Sequence, residues 1–161
     1  MKEASFSGLR CTAPSAYAII QGSPEHPALY GVIQFCERPR AILVQISVEG
    51  LPHAAGACSG RFFGLHLHSG PSCTGTAQEP FADAASHYNP MKCPHPFHAG
   101  DFPPLLGCRD IAWSAFLTDR IRIDEVIGRT VILHEHPDDF HTQPSGNAGT
   151  MIGCGVIRRV G

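Results

Sequence analysis

The sequence predicts an all-β fold, an eight-stranded Greek-key β-sandwich or barrel (immunoglobulin-like) with two long functional loops. Three observations carry that expectation. Short runs rich in β-branched and aromatic residues recur along the 161 residues, as strands require. Turn formers are plentiful, with 17 Gly and 14 Pro. Two long irregular segments interrupt the runs, as in β-sandwiches that carry their function on loops. The length suits a single domain, 1–161, able to bury a sizeable core.

The first strand is expected at 16–20, followed by the turn cluster Gly22-Ser23-Pro24-Glu25-His26-Pro27. Runs at 29–35 and 40–48 complete a meander, and 62–68 is the next strand. From 69 to about 108 the pattern stops, and Pro71, Pro80, Pro90, Pro94, Pro96, Pro103 and Pro104 punctuate the chain. So long an irregular segment inside a compact domain is functional when ordered. A metal would supply the cross-links that it lacks in apolar contacts. Strand signals return at 111–117, 130–134 and 151–157. Residues 123–127 form a turn or short helix before Gly128, and 137–149 form a second loop of small and polar residues.

Charged residues make up 16% of the chain and the formal net charge is −2. That balance gives no electrostatic reason to expect nucleic acid or an anionic membrane as partner. No apolar stretch is long enough to span a bilayer. Residues 1–7 lack the apolar core of a signal peptide, so the expected location is the cytoplasm, or an exported one if a leader has been removed. The seven cysteines are Cys11, Cys36, Cys58, Cys73, Cys93, Cys108 and Cys154. No CxxC occurs, which argues against a zinc ribbon or a thioredoxin-type site. Cys93 lies near the histidines as a candidate thiolate ligand, although a free loop thiol is the simpler reading.

The histidines point to chemistry. Gly64-Leu65-His66-Leu67-His68 places two imidazoles on one face of a strand, because side chains two apart share a face. His134 ends a later strand and could join them. In the long loop, His87, His95, His98 and Asp101 form H-x7-H-x2-H-x2-D. Three imidazoles and a carboxylate satisfy tetrahedral zinc. If His87 gives both ring nitrogens, the strand set becomes four nitrogens, which suits Cu(II). The H-x-H alone is explained as well by plain structure as by ligation, but all seven candidates in this spacing are not. His26, His53 and His141 are read as surface residues, and His136 faces away from His134.

With these residues in view, the chain resembles the copper/zinc superoxide dismutase family from about residue 14 to 159. Gly64-Leu65-His66-Leu67-His68 is similar to the family's G-F-H-V/I-H strand. His87-Tyr88-Asn89-Pro90 resembles its H-F/Y-N/D-P, and His98-Ala99-Gly100-Asp101 its H-x-G-D. Gly128-Arg129-Thr130-Val131-Ile132-Leu133-His134 resembles its G-R-S/T-L/I-V-V/I-H. Gly146-Asn147-Ala148-Gly149 and Cys154-Gly155-Val156-Ile157 match its C-terminal signatures.

The resemblance implies one copper per chain on His66, His68, His87 and His134. It implies one zinc on His87, His95, His98 and Asp101. It also implies a disulfide between Cys73 and Cys154, and a carboxylate, Asp138, joining a copper histidine (His66) to a zinc histidine (His95). The implied activity is disproportionation of superoxide to dioxygen and hydrogen peroxide. Ser145 and Met151 fall on the substrate channel. Met151 stands where the family has an arginine that attracts the anion, which implies a reduced rate. The segment from His68 to Cys73 is short, so the usual animal-type dimer interface is not supported. The rival reading is a non-enzymatic copper-binding or copper-chaperone module on the same fold. A carrier, however, needs neither a bridging imidazole nor a zinc half-site.

Overall fold

Alternating burial defines the first three strands of the computed structural model, which describes residues 10–53 and 61–161. In β1 (Ala16–Gly22) the side chains of Ala16, Ala18 and Ile20 point inward. In β2 (Tyr30–Arg38) Ile33 and Phe35 do so, and in β3 (Ala41–Glu49) Ile42, Val44, Ile46 and Val48. A period of two on a half-buried sheet fixes register, since a slip of one residue would expose the whole apolar set. The pairing is accordingly continuous, from Ala16↔Phe35 to Gln21↔Tyr30 and from Tyr30↔Glu49 to Arg38↔Ala41. All three strands extend past their expected ends. Residues 1–7 and Cys58 lie outside the described residues.

The expected strand at 62–68 is two strands. β4 (Phe62–Phe63) and β5 (Leu65–His68) part at Gly64, and β4 pairs with β6 (Leu105–Leu106). At the break, Gly64 N–H donates to His136 O and Gly64 O accepts from His134 N–H, both at 2.8 Å. The chain thus transfers its hydrogen bonds from one neighbour to another. A side chain at Gly64 would stand 3.0 Å from Ala148 Cβ and His136 O. β7 (Ile111–Thr118) pairs with β3, and a one-turn helix, α1 (Ile123–Val126), leads to β8 (Thr130–His134). β9 (Met151–Val156) lies between β8 and β1, and the short β10 (Arg158–Arg159), which the sequence did not reveal, caps β1.

The order β5-β8-β9-β1-β2-β3-β7 is antiparallel throughout. Its last strands return beside its first, the Greek-key connection of β-barrels. The protein is therefore an all-β Greek-key barrel. Ile20, Ile33, Phe35, Ile46, Phe63, Leu65, Leu67, Val131, Leu133 and Ile152 meet in one core. Among the described residues no helix is long and apolar enough to cross a membrane.

One consequence of that core matters for function. Leu65 and Leu67 of β5 and Val131 and Leu133 of β8 face inward, so His66, His68, Thr130, Ile132 and His134 face outward. These outward residues are nonetheless buried. What covers them is the long loop.

Candidate metal centre

The loop is ordered because its backbone adds to the free edge of β5. Tyr88 N–H donates to Leu67 O, Leu67 N–H to Gly100 O, and Gly100 N–H to Tyr88 O. This sets His87 beside His68 and Asp101 beside His66 as isolated β-bridges. Gly100 is needed for the approach, because a Cβ there would fall 2.2 Å from Leu67 O.

Among the described residues three groups could hold a metal; one, His66 with Asp101 and Asp138, only joins the other two. His66, His68, His87 and His134 form one, and His87, His95, His98 and Asp101 the other, with the donor atoms of each group within 4.8 Å of one another. His87 belongs to both. The residue assignments expected from the sequence are thus brought together in space, and Cys93 is a free thiol outside both groups.

The ring nitrogens show how the groups are built. Six of them are buried without a hydrogen-bond partner: His66 Nδ1, His68 Nε2, His87 Nε2, His95 Nδ1, His98 Nδ1 and His134 Nε2. A buried polar atom without a partner costs about 1–3 kcal/mol. Six converging on two points are explained by cations, and the donor set fits them: four imidazoles for copper, three imidazoles and a carboxylate for zinc. His95 Nδ1 and His98 Nδ1 stand 3.1 and 3.3 Å from Asp101 oxygens without forming hydrogen bonds. Ligand atoms that share one ion are arranged in this way.

The opposite nitrogens are tied down. His68 Nδ1–H donates to Ala85 O at 2.8 Å, and His134 Nδ1–H to Gly149 O at 3.2 Å. His66 Nε2–H and His95 Nε2–H donate to the two oxygens of Asp138, at 2.7 and 2.8 Å. Each bond fixes the tautomer and aims the other nitrogen's lone pair into the site. Gly146, at φ +68°, lets the second loop close on this carboxylate, since a Cβ there would stand 2.1 Å from Asp138 Oδ1.

The electrostatics favour neutral rings at His66, His68 and His134 and charged carboxylates at Asp101 and Asp138. Burial pushes the His134 imidazole down to about 3, with His66 adding to the effect. Burial and the neighbouring His134 hold His68 well below its usual value. His66 is also lowered by burial, against the opposing hydrogen bond to Asp138. Burial alone would raise both aspartates. Hydrogen bonds from His66, the Phe140 N–H and His95 instead bring Asp138 down to about 2, and those from His87 and the His98 N–H lower Asp101. Unprotonated imidazole and ionised carboxylate are the forms that bind a metal.

Several supports were not legible in the sequence. Gln143 clamps His95 from both sides, accepting from its N–H at 3.0 Å and donating to its C=O at 2.7 Å. Asn89 closes the turn to Cys93 through both ends of its amide. Arg129 stacks over Tyr88, 4.2 Å from the ring centre, and donates to Ser69 O. The contacts of Gln143 and Arg129 span the fold, so no spacing announces them. The Cys73–Cys154 disulfide ties the long loop to β9, with Cα atoms 5.7 Å apart. A second, Cys11–Cys36, joins the N-terminal segment to β2. Met151 is half-buried beside Phe81, Ala84, Ile132 and Cys154. Ser145 is half-buried in the turn ahead of Gly146.

The family model for copper/zinc superoxide dismutase (SODC) matches residues 29–157. The chain is 30% identical over 151 residues to the copper/zinc superoxide dismutase of Deinococcus radiodurans, covering 81% of this chain and 78% of that one. It is 28% identical over 143 residues to a copper/zinc superoxide dismutase of Aquifex aeolicus, covering 80% and 78%. The copper/zinc superoxide dismutase of Brucella abortus shares the fold, with a TM-score of 0.72 and 22% identity over 88% of this chain and 98% of that one. With its two histidine groups on the outer face of a Greek-key barrel, the chain belongs to the copper/zinc superoxide dismutase family.

Proposed function

We propose that the protein disproportionates superoxide with copper held by His66, His68, His87 and His134 and zinc held by His87, His95, His98 and Asp101. The observation that carries this reading is the set of six buried, unpartnered ring nitrogens in two groups that share His87. When bound, copper supplies the one-electron exchange that turns superoxide into dioxygen in one half of the cycle and into hydrogen peroxide in the other.

The protein's own part is positional and protonic. The three strand histidines, on β5 and β8, are a rigid base, since rigid elements hold a site more closely than loops. His87 is the one ligand with a nitrogen toward each group, so its Nε2 is the atom that can take a proton and give it up again. Nδ1, on the zinc side, keeps the ring in place meanwhile. A non-enzymatic copper carrier would have no use for this shared imidazole. The whole chain serves as one domain in this reading.

The two disulfides suit an oxidising compartment better than the cytoplasm expected from residues 1–7. Thiol trapping of the protein from its host tests this: blocked cysteines at positions 11, 36, 73 and 154 support an oxidising location, and free ones the cytoplasm. The activity is tested by following superoxide decay after pulse radiolysis, on protein of measured copper and zinc content. Decay proportional to copper content is expected. Decay no faster than in buffer overturns the reading.

A further inference from the structure

We propose that Met151 is a fifth, sulfur donor to the copper ion, one that favours its reduced state. The proposal rests on the copper reading of the four-histidine group and adds a residue to it.

The argument is positional. Met151 is the direct cross-strand partner of His134, across a bulge between Leu133 and His134. Directly opposed residues in an antiparallel pair project to the same side, with Cβ atoms about 4.5–5.5 Å apart. The bulge sends Ile152 into the core and Met151 to the outer face, where it packs with Ile132 and Cys154. Ile132 is in turn the register partner of His66. The thioether therefore lies on the same sheet face as His66, His68 and His134.

The cleft at this point adds a second observation. Gly149, Thr150 and Met151 line one side of it, and Glu79, Pro80 and Phe81 the other. Gly149, which lines the cleft with Met151, also accepts from His134 Nδ1–H, and the opposite nitrogen of that ring, Nε2, is buried without a partner. Among the described residues, no lysine or arginine lines this cleft. Methionine has three rotatable bonds, which let its sulfur adapt to a nearby centre. Thioether sulfur selects Cu(I), and in copper centres of two imidazoles and a thiolate a weak axial methionine tunes the potential.

The test uses the full-length protein loaded with copper and zinc, with selenomethionine in place of methionine. X-ray absorption at the copper edge of the reduced protein should show a selenium neighbour. The label separates Met151 from the disulfide sulfur of Cys154, and the other methionines, Met1 and Met91, are remote in sequence, with Met91 79% exposed. In Met151→Leu, which keeps the packing and removes the donor, Cu(I) affinity measured by bicinchoninate competition should fall at least tenfold. Cu(II) affinity should hold, so the midpoint potential should fall by about 59 mV for each tenfold loss. A reduced site with nitrogen neighbours alone, or equal Cu(I) affinity in the variant, overturns the proposal and leaves four-histidine copper standing. Protein that holds no copper at all overturns both.

Discussion

His66 and Asp138 meet at 2.7 Å with both side chains removed from solvent. The second oxygen of the same carboxylate meets His95 at 2.8 Å. One side chain from the second loop thus orients a histidine of each group. Losing such an outer partner typically lowers metal affinity about 10–100-fold. Asp138→Asn keeps the size but can accept from only one of the two histidines. Competition titrations should show weaker zinc binding and weaker copper binding in this variant. Unchanged affinity for both ions would mean that the ligands are held without Asp138.

His87 offers Nδ1 to one group and Nε2 to the other, and Nδ1 lies 2.8 Å from Asp101 Oδ1. His87→Ala removes one donor from each set of four. The metal content after reconstitution and desalting should fall below one copper and one zinc per chain. Zinc affinity equal to the wild type would show that His87 does not bridge.

The metal-free protein should lose stability as the solution is made acid, and the sign follows from depressed values. His134 titrates at about 3 in the fold and near 6.5 when unfolded, and His66 and His68 are lowered as well. Above 6.5 these rings are neutral in both states and their contribution is fully present. As pH falls below 6.5 the unfolded chain takes up protons that the folded one excludes, at a cost of up to about 1.4 kcal/mol per pH unit for each ring. Asp138, at about 2 against an ordinary 3.8, adds a further loss below 3.8. Thermal melts of the chelated protein from pH 7 to pH 4 should therefore show a steady fall in Tm. A flat profile would show that the rings are protonated in the fold.

Much of this was legible from the chain. The H-x-H pattern and the apolar alternation around it placed His66 and His68 on one face, because strand geometry leaves no other arrangement for residues two apart. The local motifs around His87, His98 and His134 pointed to residues that the fold gathers into the two groups. Three features were hidden for physical reasons. The break at Gly64 depends on a hydrogen-bond transfer to residues more than sixty positions away. The Gln143 clamp on His95 crosses two loops. The Cys11–Cys36 pairing depends on how the N-terminal segment crosses β2, where Cys36 points away from the core that Phe35 enters. Long-range contacts between irregular segments leave no periodicity to read.

The Cys73–Cys154 disulfide closes a sequence separation of 81 residues that holds β6, β7, α1, β8 and the start of β9. Such a bond typically contributes about 2–5 kcal/mol. Cys73→Ser should lower the urea midpoint under non-reducing conditions, and peptide mapping of the wild type should recover Cys73 with Cys154. A midpoint unmoved by the substitution would show that the loop is held by the metals and the edge of β5 alone.

Met151, an uncharged side chain, is the register partner of His134 and lines a cleft with Glu79, Pro80 and Phe81. Among the described residues that line it, Glu79 is the charged one and none is a cation, so no side-chain charge in that lining attracts an anion. Met151→Arg adds one fixed positive charge and a fork of donors at the partner position of His134. Charge focusing at a cleft raises on-rates by about 10 to 10³-fold, and a single residue belongs at the lower end of that range. The second-order rate with superoxide should rise at low ionic strength, at equal copper content. The gain should shrink as salt shortens the Debye length to about 8 Å at 0.15 M. Met151→Leu separates charge from sulfur, since it removes the thioether and adds no charge. It should leave the salt dependence as it is in the wild type. An arginine variant no faster than the leucine variant at low salt would show that encounter with superoxide does not limit this protein, and that the mouth at Met151 is not where its rate is set.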